Sequence, residues 1–199
     1  MGKKGNGGKS SYGRRGAPAP RRRSSTWVWV LVGVLVVAAL AALAVQSIQQ
    51  SADIQGVQSF TGLTFEHTTK TVRYAQVPPV GGDHNPEVQN CGIYDKPVPN
   101  ENAVHSLEHG AVWITYQPDL PQAAVEKLRG MVRGHDHVLL SPFPSLPAPV
   151  VASGWGVQLQ LTGADDPRLP RFIRKYEQGP QTRELGAECS GGVGTPIRT

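Results

Sequence analysis

An uncharged apolar run near the N-terminus most constrains how this chain can fold. Nineteen consecutive residues, from Trp27 to Val45, are all apolar or glycine. As a helix they would extend roughly 28 Å, close to the thickness of the hydrocarbon core of a bilayer. The run therefore predicts a transmembrane helix at 27–45 and leaves the later residues to form the folded domain.

The residues before this run predict its orientation. Residues 1–26 carry eight basic and no acidic residues and are rich in Gly, Ser and Pro, which predicts a disordered tail. Because positive charge stays in the cytoplasm, we expect a single-pass protein of the cell membrane, with a cytoplasmic N-terminus and the lipid bilayer as a partner. The alternative is a signal peptide cleaved after Ala44, since Ala42-Leu43-Ala44 has the small-x-small form that signal peptidase reads.

The charge of the remaining chain excludes one class of protein. The whole chain has a formal net charge of +5, but the basic tail accounts for all of the excess. Nucleic-acid-binding domains carry clustered basic residues on the fold itself, so no nucleic-acid partner is expected. We predict a linker at 46–56 and an extracytoplasmic domain at 57–199.

Hydrophobic periodicity predicts an α+β fold for that domain. The predicted elements, in order, are a buried strand at 111–116, a helix between Asp119 and Gly134, a strand at 137–140, a hairpin within 150–161 and a helix that begins at Asp166-Pro167. We expect a small antiparallel or mixed sheet with two covering helices, preceded by the disordered basic tail and one transmembrane helix. A thioredoxin-like arrangement shares this order of elements, although no CxxC motif supports redox chemistry.

Two imidazoles and a carboxylate stand close together in His105-Ser106-Leu107-Glu108-His109. In a helix, side chains four residues apart share a face, with Cβ atoms about 5–6 Å apart. In a strand the same spacing is about 13 Å, too far for one ion. A helical turn before Gly110 would therefore let His105 and His109 bind one metal.

The other histidines of this half of the chain could complete such a site. The predicted ligands are His67, His84, His105 and His109, and imidazole suits zinc and copper. With only two methionines in the chain, a thioether Cu(I) site is disfavoured, which leaves zinc or Cu(II). Two other interpretations stay open: the histidines could bond loop carbonyls structurally, or take part in acid–base catalysis.

A second motif overlaps the first. His105-x-x-Glu108-His109 has the H-x-x-E-H form of inverted zinc proteases, in which the glutamate is the general base, and Glu184 lies downstream as a third ligand would. This predicts an alternative function, an envelope metal-dependent hydrolase with Glu108 as its catalytic residue. That motif normally sits in a long helix, whereas Gly110 and a β-rich run follow here. Whether the protein is an enzyme is left open.

The chain has two cysteines, Cys91 and Cys189. Outside the cytoplasm an even pair predicts a disulfide. Closing a loop of about 100 residues stabilises a fold by up to about 4.7 kcal/mol in the chain-entropy model. The alternative is that both thiolates bind a metal.

Three longer motifs resemble a bacterial family. They are VPPVGGDH at 77–84, NCGIY at 90–94 and ENAVHSLEHG at 101–110, and they resemble the domain-of-unknown-function family 3105 from about Val57 to Cys189. The resemblance implies a small membrane-anchored or exported protein. It favours His67, His84, Cys91, His105 and His109 as the residues that matter, ahead of His135 and His137. The predicted function is a structural or metal-binding module of the cell envelope.

Overall fold

The fold is that of a computed structural model, which describes residues 1–2, 26–51 and 53–197. The described chain contains four α-helices and six β-strands. In chain order these are α1 (Thr26–Ser51), β1 (Val57–Ser59), β2 (Gly92–Ile93), α2 (Asn100–Glu108), β3 (Val112–Tyr116), α3 (Gln122–Val132), β4 (Val138–Pro142), β5 (Val150–Gly154), β6 (Val157–Leu161) and α4 (Arg168–Tyr176). The predicted disordered tail, residues 1–26, lies almost wholly outside the described residues.

The strands form one mixed sheet in the order β1-β6-β5-β3-β4-β2. β3 and β4 are parallel and are joined through α3, as a parallel pair requires a crossover connection. β5 runs antiparallel to both β3 and β6. Every residue of the three central strands is buried, which is why their sequences are apolar runs with little alternation.

The two faces of the sheet are covered by different elements. Val112 and Ile114 pack in one apolar cluster with α3 and α4, whereas Trp113 packs in a second cluster with Leu107 and Val104 of α2. Successive residues of a strand point to opposite faces. The helix that carries the histidine motif is therefore fixed to the sheet through Trp113, on the face opposite α3 and α4.

α2 ends in a Schellman motif centred on a glycine. Gly110 N–H donates to Leu107 O at 3.0 Å, and Ala111 N–H donates to Ser106 O at 2.9 Å. Gly110 has φ +89°, a conformation that glycine adopts without the strain a Cβ would bring. This turn sends the chain directly from α2 into the central strand β3.

Within the described residues, no helix combines the length and apolar character that crossing a membrane requires. The predicted transmembrane helix at 27–45 is therefore wrong, and so is the single-pass membrane localisation derived from it. The lipid bilayer as a partner stays a prediction.

The predicted fold class is wrong in its helices as well as in the membrane span. The prediction gave two covering helices, whereas the described chain has four helices and a six-stranded mixed sheet. The edge strands β1 and β2 have three and two residues, too few to show a period of two. The unit from β3 to α4 keeps the strand, helix, strand, hairpin and helix order that a thioredoxin-like arrangement shares.

A disulfide joins Cys91 to Cys189, with an S–S distance of 2.01 Å. The predicted bridge is confirmed, and the alternative of two metal-binding thiolates is excluded. Cys91 N–H also donates to Cys189 O at 2.8 Å, and Glu184 N–H donates to Glu108 O at 3.1 Å. The irregular C-terminal segment is thereby held along α2, which brings Arg183 and Glu184 beside the histidine motif.

Candidate metal centre

α2 contributes two side chains to a buried polar cluster. His105 and Glu108 lie three residues apart, so they share one face of the helix. Both are buried. The imidazole of His105 donates its Nδ1–H to Asn85 O at 2.8 Å, which leaves Nε2 as the nitrogen with a free lone pair.

The glycine-containing loop before β2 contributes His84. Its side chain is completely buried, and its ring meets Trp155 edge-on with centroids 5.9 Å apart. His84 donates its own Nδ1–H to Gly82 O at 2.8 Å. Gly82 has φ +116°, so a backbone conformation that side chains rarely adopt turns this carbonyl toward the ring.

His67 is brought to the cluster by backbone pairing. Thr68 N–H donates to His84 O at 2.7 Å, and His84 N–H donates to Glu66 O at 3.0 Å. These two bonds form a parallel bridge between His67 and His84. The side chain of His67 is 49% exposed, so it forms the solvent side of the cluster.

The three imidazoles form an equilateral triangle. The ring centroids of His67, His84 and His105 are 4.9 Å apart for each of the three pairs. One potential ligand atom from each of these rings and from Glu108 lies within 4.8 Å of all the others. A tetrahedral ion with bonds of 2.0–2.1 Å separates its ligands by about 3.3 Å, so small side-chain movements would close the set around one ion.

Glu108 is held between a cation and the histidines. Arg183 Nε donates to its Oε1 at 3.0 Å, and the guanidinium of Arg183 stacks on the ring of Phe65 at 3.5 Å. Oε2 faces His84 Nε2 at 2.9 Å and His67 Nε2 at 4.0 Å. The carboxylate side chain is only 4% exposed, so its charge needs partners inside the protein.

The contact between His84 and Glu108 brings an imidazole nitrogen against a carboxylate oxygen. Because Nδ1 of His84 already donates to Gly82 O, Nε2 of the neutral ring carries a lone pair. This lone pair faces a carboxylate oxygen at 2.9 Å, and His84 Nε2 has no hydrogen-bond partner among the described residues. Either a second proton or a metal cation between the two atoms turns this repulsion into attraction.

Burial keeps one ring of the cluster neutral. The pKa of His105 is lowered from 6.5 to about 4, chiefly by desolvation and further by the neighbouring imidazoles, while the bond to the Asn85 carbonyl opposes the shift. A neutral imidazole is the form that binds metals. His105 is therefore ready to act as a ligand at neutral pH.

The fourth predicted ligand, His109, lies in a neighbouring group. His109, His105 and Glu184 have potential ligand atoms within 4.8 Å of one another. The two histidines that were not predicted as ligands lie elsewhere: His135 pairs with Glu177, and His137 bonds Ala187 O.

Sequence reasoning missed two features of the cluster. It did not place Glu108 with His67 and His84, although the i, i+3 spacing to His105 puts Glu108 and His105 on one face of a helix. It gave Arg183 no role, and no local pattern points to an arginine 75 residues away along the chain.

Comparison with known proteins identifies one family. A family model described as "Protein of unknown function (DUF3105)" matches residues 66–191. The matched range contains His67, His84, His105, Glu108 and both cysteines. No curated protein and no solved structure matches the chain significantly.

Proposed function

The chain belongs to the DUF3105 family of proteins of unknown function, and because that membership assigns no activity, we propose from the cluster itself that the domain binds one divalent transition-metal ion. The proposed ligands are His67, His84, His105 and Glu108. One observation supports this most directly: a buried imidazole nitrogen without a hydrogen-bond partner faces a buried carboxylate oxygen at 2.9 Å.

The outer contacts of these ligands are those of a metal site. Metal-binding histidines usually donate their second ring N–H to a carbonyl or carboxylate, which fixes the ring and its tautomer. His84 and His105 both do so, through Gly82 O and Asn85 O. A structural hydrogen-bonding role would explain each of these bonds separately, but not why three imidazoles converge at equal distances.

The donor set selects among metals. Three imidazole nitrogens and one carboxylate oxygen suit zinc and Cu(II), whereas calcium and magnesium prefer oxygen ligands alone. Four protein ligands fill a tetrahedral zinc site, as in structural sites. We therefore propose zinc or Cu(II), held for structure or storage.

The hydrolase alternative has less support. A general base must reach the proton that it abstracts. Oε1 of Glu108 accepts a hydrogen bond from Arg183, and Oε2 faces the buried ring of His84 rather than solvent. With its side chain 4% exposed, Glu108 is better suited to binding an ion than to activating water for an outside substrate.

Metal retention by the purified full-length protein tests the proposal. The protein is loaded with Zn²⁺ or Cu²⁺, desalted and measured by elemental analysis. We expect about one equivalent for the wild type and an affinity at least about 10-fold weaker for His67→Ala, since even an outer partner contributes about 10–100-fold. His67 is chosen because its side chain is half exposed, so that its removal leaves the core intact.

His135→Ala is the matched control. His135 is also partly exposed and also lies beside a carboxylate, that of Glu177, but outside the cluster. It should retain metal like the wild type. A wild-type protein that retains neither ion, or equal losses in both variants, would refute the proposal.

A further inference from the structure

A second group of metal-binding side chains adjoins the proposed centre and shares one residue with it. His109 and Glu184 lie with His105 in a set whose potential ligand atoms are all within 4.8 Å. The side chains of His109 and Glu184 are 13% and 52% exposed, whereas His105 is buried. The group therefore runs from the protein surface to the buried cluster.

The outer pair has the same hydrogen-bonding arrangement as the buried one. His109 donates Nδ1–H to Glu188 O at 2.6 Å, so the lone pair of the neutral ring is on Nε2. That nitrogen faces Glu184 Oε2 at 3.3 Å. The side-chain amide of Gln178 donates to the carbonyl of His109, which helps to fix the end of the helix that carries the ring.

The shared histidine can serve only one ion at a time. Nδ1 of His105 is engaged with Asn85 O, which leaves Nε2 as its free ligand atom. The rings of His105 and His109 are 4.5 Å apart, and His105 is also 4.9 Å from both His67 and His84. A small movement of the ion, not of the helix, would transfer it from one set of ligands to the other.

We propose that His109 and Glu184 form a loading position, at which a transition-metal ion first binds together with His105 and from which it moves inward to His67, His84 and Glu108. This inference rests on the proposed function. The direction follows from the ligands: the outer position offers three side chains, two of them partly exposed, and the inner one offers four, three of them buried. More protein ligands in a drier site hold an ion more tightly.

Transfer kinetics test the loading position. Zn²⁺ or Cu²⁺, whichever the wild type retains, is supplied on a chromophoric chelator, and its transfer to the metal-free full-length protein is followed by stopped-flow absorbance. Glu184→Gln should slow transfer about 10-fold or more and leave the final amount at one equivalent. His109→Ala should do the same.

Glu188→Gln is the matched control. It removes the same charge from the same segment, but Glu188 contacts His109 only through its backbone carbonyl. It should load at the wild-type rate. If both glutamine variants slowed metal transfer equally, the carboxylates would act only by attracting cations to this surface. If Glu184→Gln left the transfer rate unchanged, the ion would enter the buried cluster directly from the His67 side. Either result overturns the inference.

Equilibrium titration separates this inference from the proposed function. Because one nitrogen of His105 is shared, the wild type should bind one tight equivalent. Two tight equivalents would mean independent sites and would overturn the loading position while the proposed centre stands. A wild type that binds neither ion would overturn both.

Discussion

Glu108→Gln should remove most of the thermal stabilisation that a bound metal ion gives this domain. An ion that binds only the folded state at 100 times its Kd stabilises that state by about 2.7 kcal/mol. A variant that binds about 100-fold more weakly gains only about 0.4 kcal/mol at the same concentration. In a domain of about 150 residues each kcal/mol shifts the Tm by about 2–4 °C. The metal-induced increase in Tm should therefore be about 5–11 °C for the wild type and only about 1–2 °C for Glu108→Gln.

The metal-free baseline of this variant shifts as well, for a different reason. Glu108 Oε1 accepts a hydrogen bond from Arg183 Nε at 3.0 Å, in which the carboxylate is buried and the arginine is partly exposed. A hydrogen bond to a charged group contributes about 1.5–3 kcal/mol, and the amide loses that charge. The measured quantity is therefore the difference between Tm with and without metal, not the Tm of the variant alone.

Differential scanning calorimetry of wild type and variant, each with and without the ion, measures this difference. Glu177→Gln is the control, because Glu177 also pairs with a histidine, His135, but lies outside the cluster. It should keep the full metal-induced rise. If Glu108→Gln kept the same metal-induced increase in Tm as the wild type, the carboxylate would not be a ligand, and the proposed site of four ligands would be refuted.

Three further predictions concern the scaffold. Gly110→Ala should lower the free energy of unfolding in urea by about 2 kcal/mol or more, because φ is +89° and a Cβ would lie 2.7–2.9 Å from side chains of the C-terminal segment. Gly134→Ala is the control, since Gly134 has φ +83° but lies in open space, and it should lower that free energy less. Equal losses in the two variants would contradict the packing explanation. Replacing Cys91 and Cys189 together by serine should destabilise the fold by up to about 4.7 kcal/mol by the same assay, and an unchanged midpoint would show that the bridge is dispensable. Hydrogen bonds from the neighbouring arginine lower the pKa of Asp166 well below its ordinary 3.8, so this carboxylate stabilises the fold above that pH and the stabilisation is lost as pH falls through the folded-state pKa. Asp166→Asn should therefore lower the Tm at pH 7, and the difference in Tm between variant and wild type should narrow below about pH 3.8. A difference in Tm that stays constant with pH would contradict the stabilising role of the Asp166 carboxylate.

Local spacing was enough to predict the strand after Gly110 and to make a helical turn before it the condition for joint metal binding. His105 and Glu108 share a helix face wherever that segment is helical, and Gly110 marks the end of the turn, as observed in α2 and β3. The cysteine pair and the family motifs were equally accessible, since the bridge forms and the family model matches residues 66–191. The apolar run at 27–45 gave a membrane prediction that the described helices contradict.

The partners of those residues were decided by the tertiary structure alone. The motif offered Glu184 as a third ligand, but the sequence could not show that His67 pairs with His84 through a backbone bridge or that Arg183 reaches Glu108. His67, His84 and Arg183 lie on irregular loops, where no period links chain distance to spatial distance. A helix fixes the positions of its own residues through local hydrogen bonds, but contacts between distant loops depend on which of many conformations buries the most surface and pairs the most polar groups.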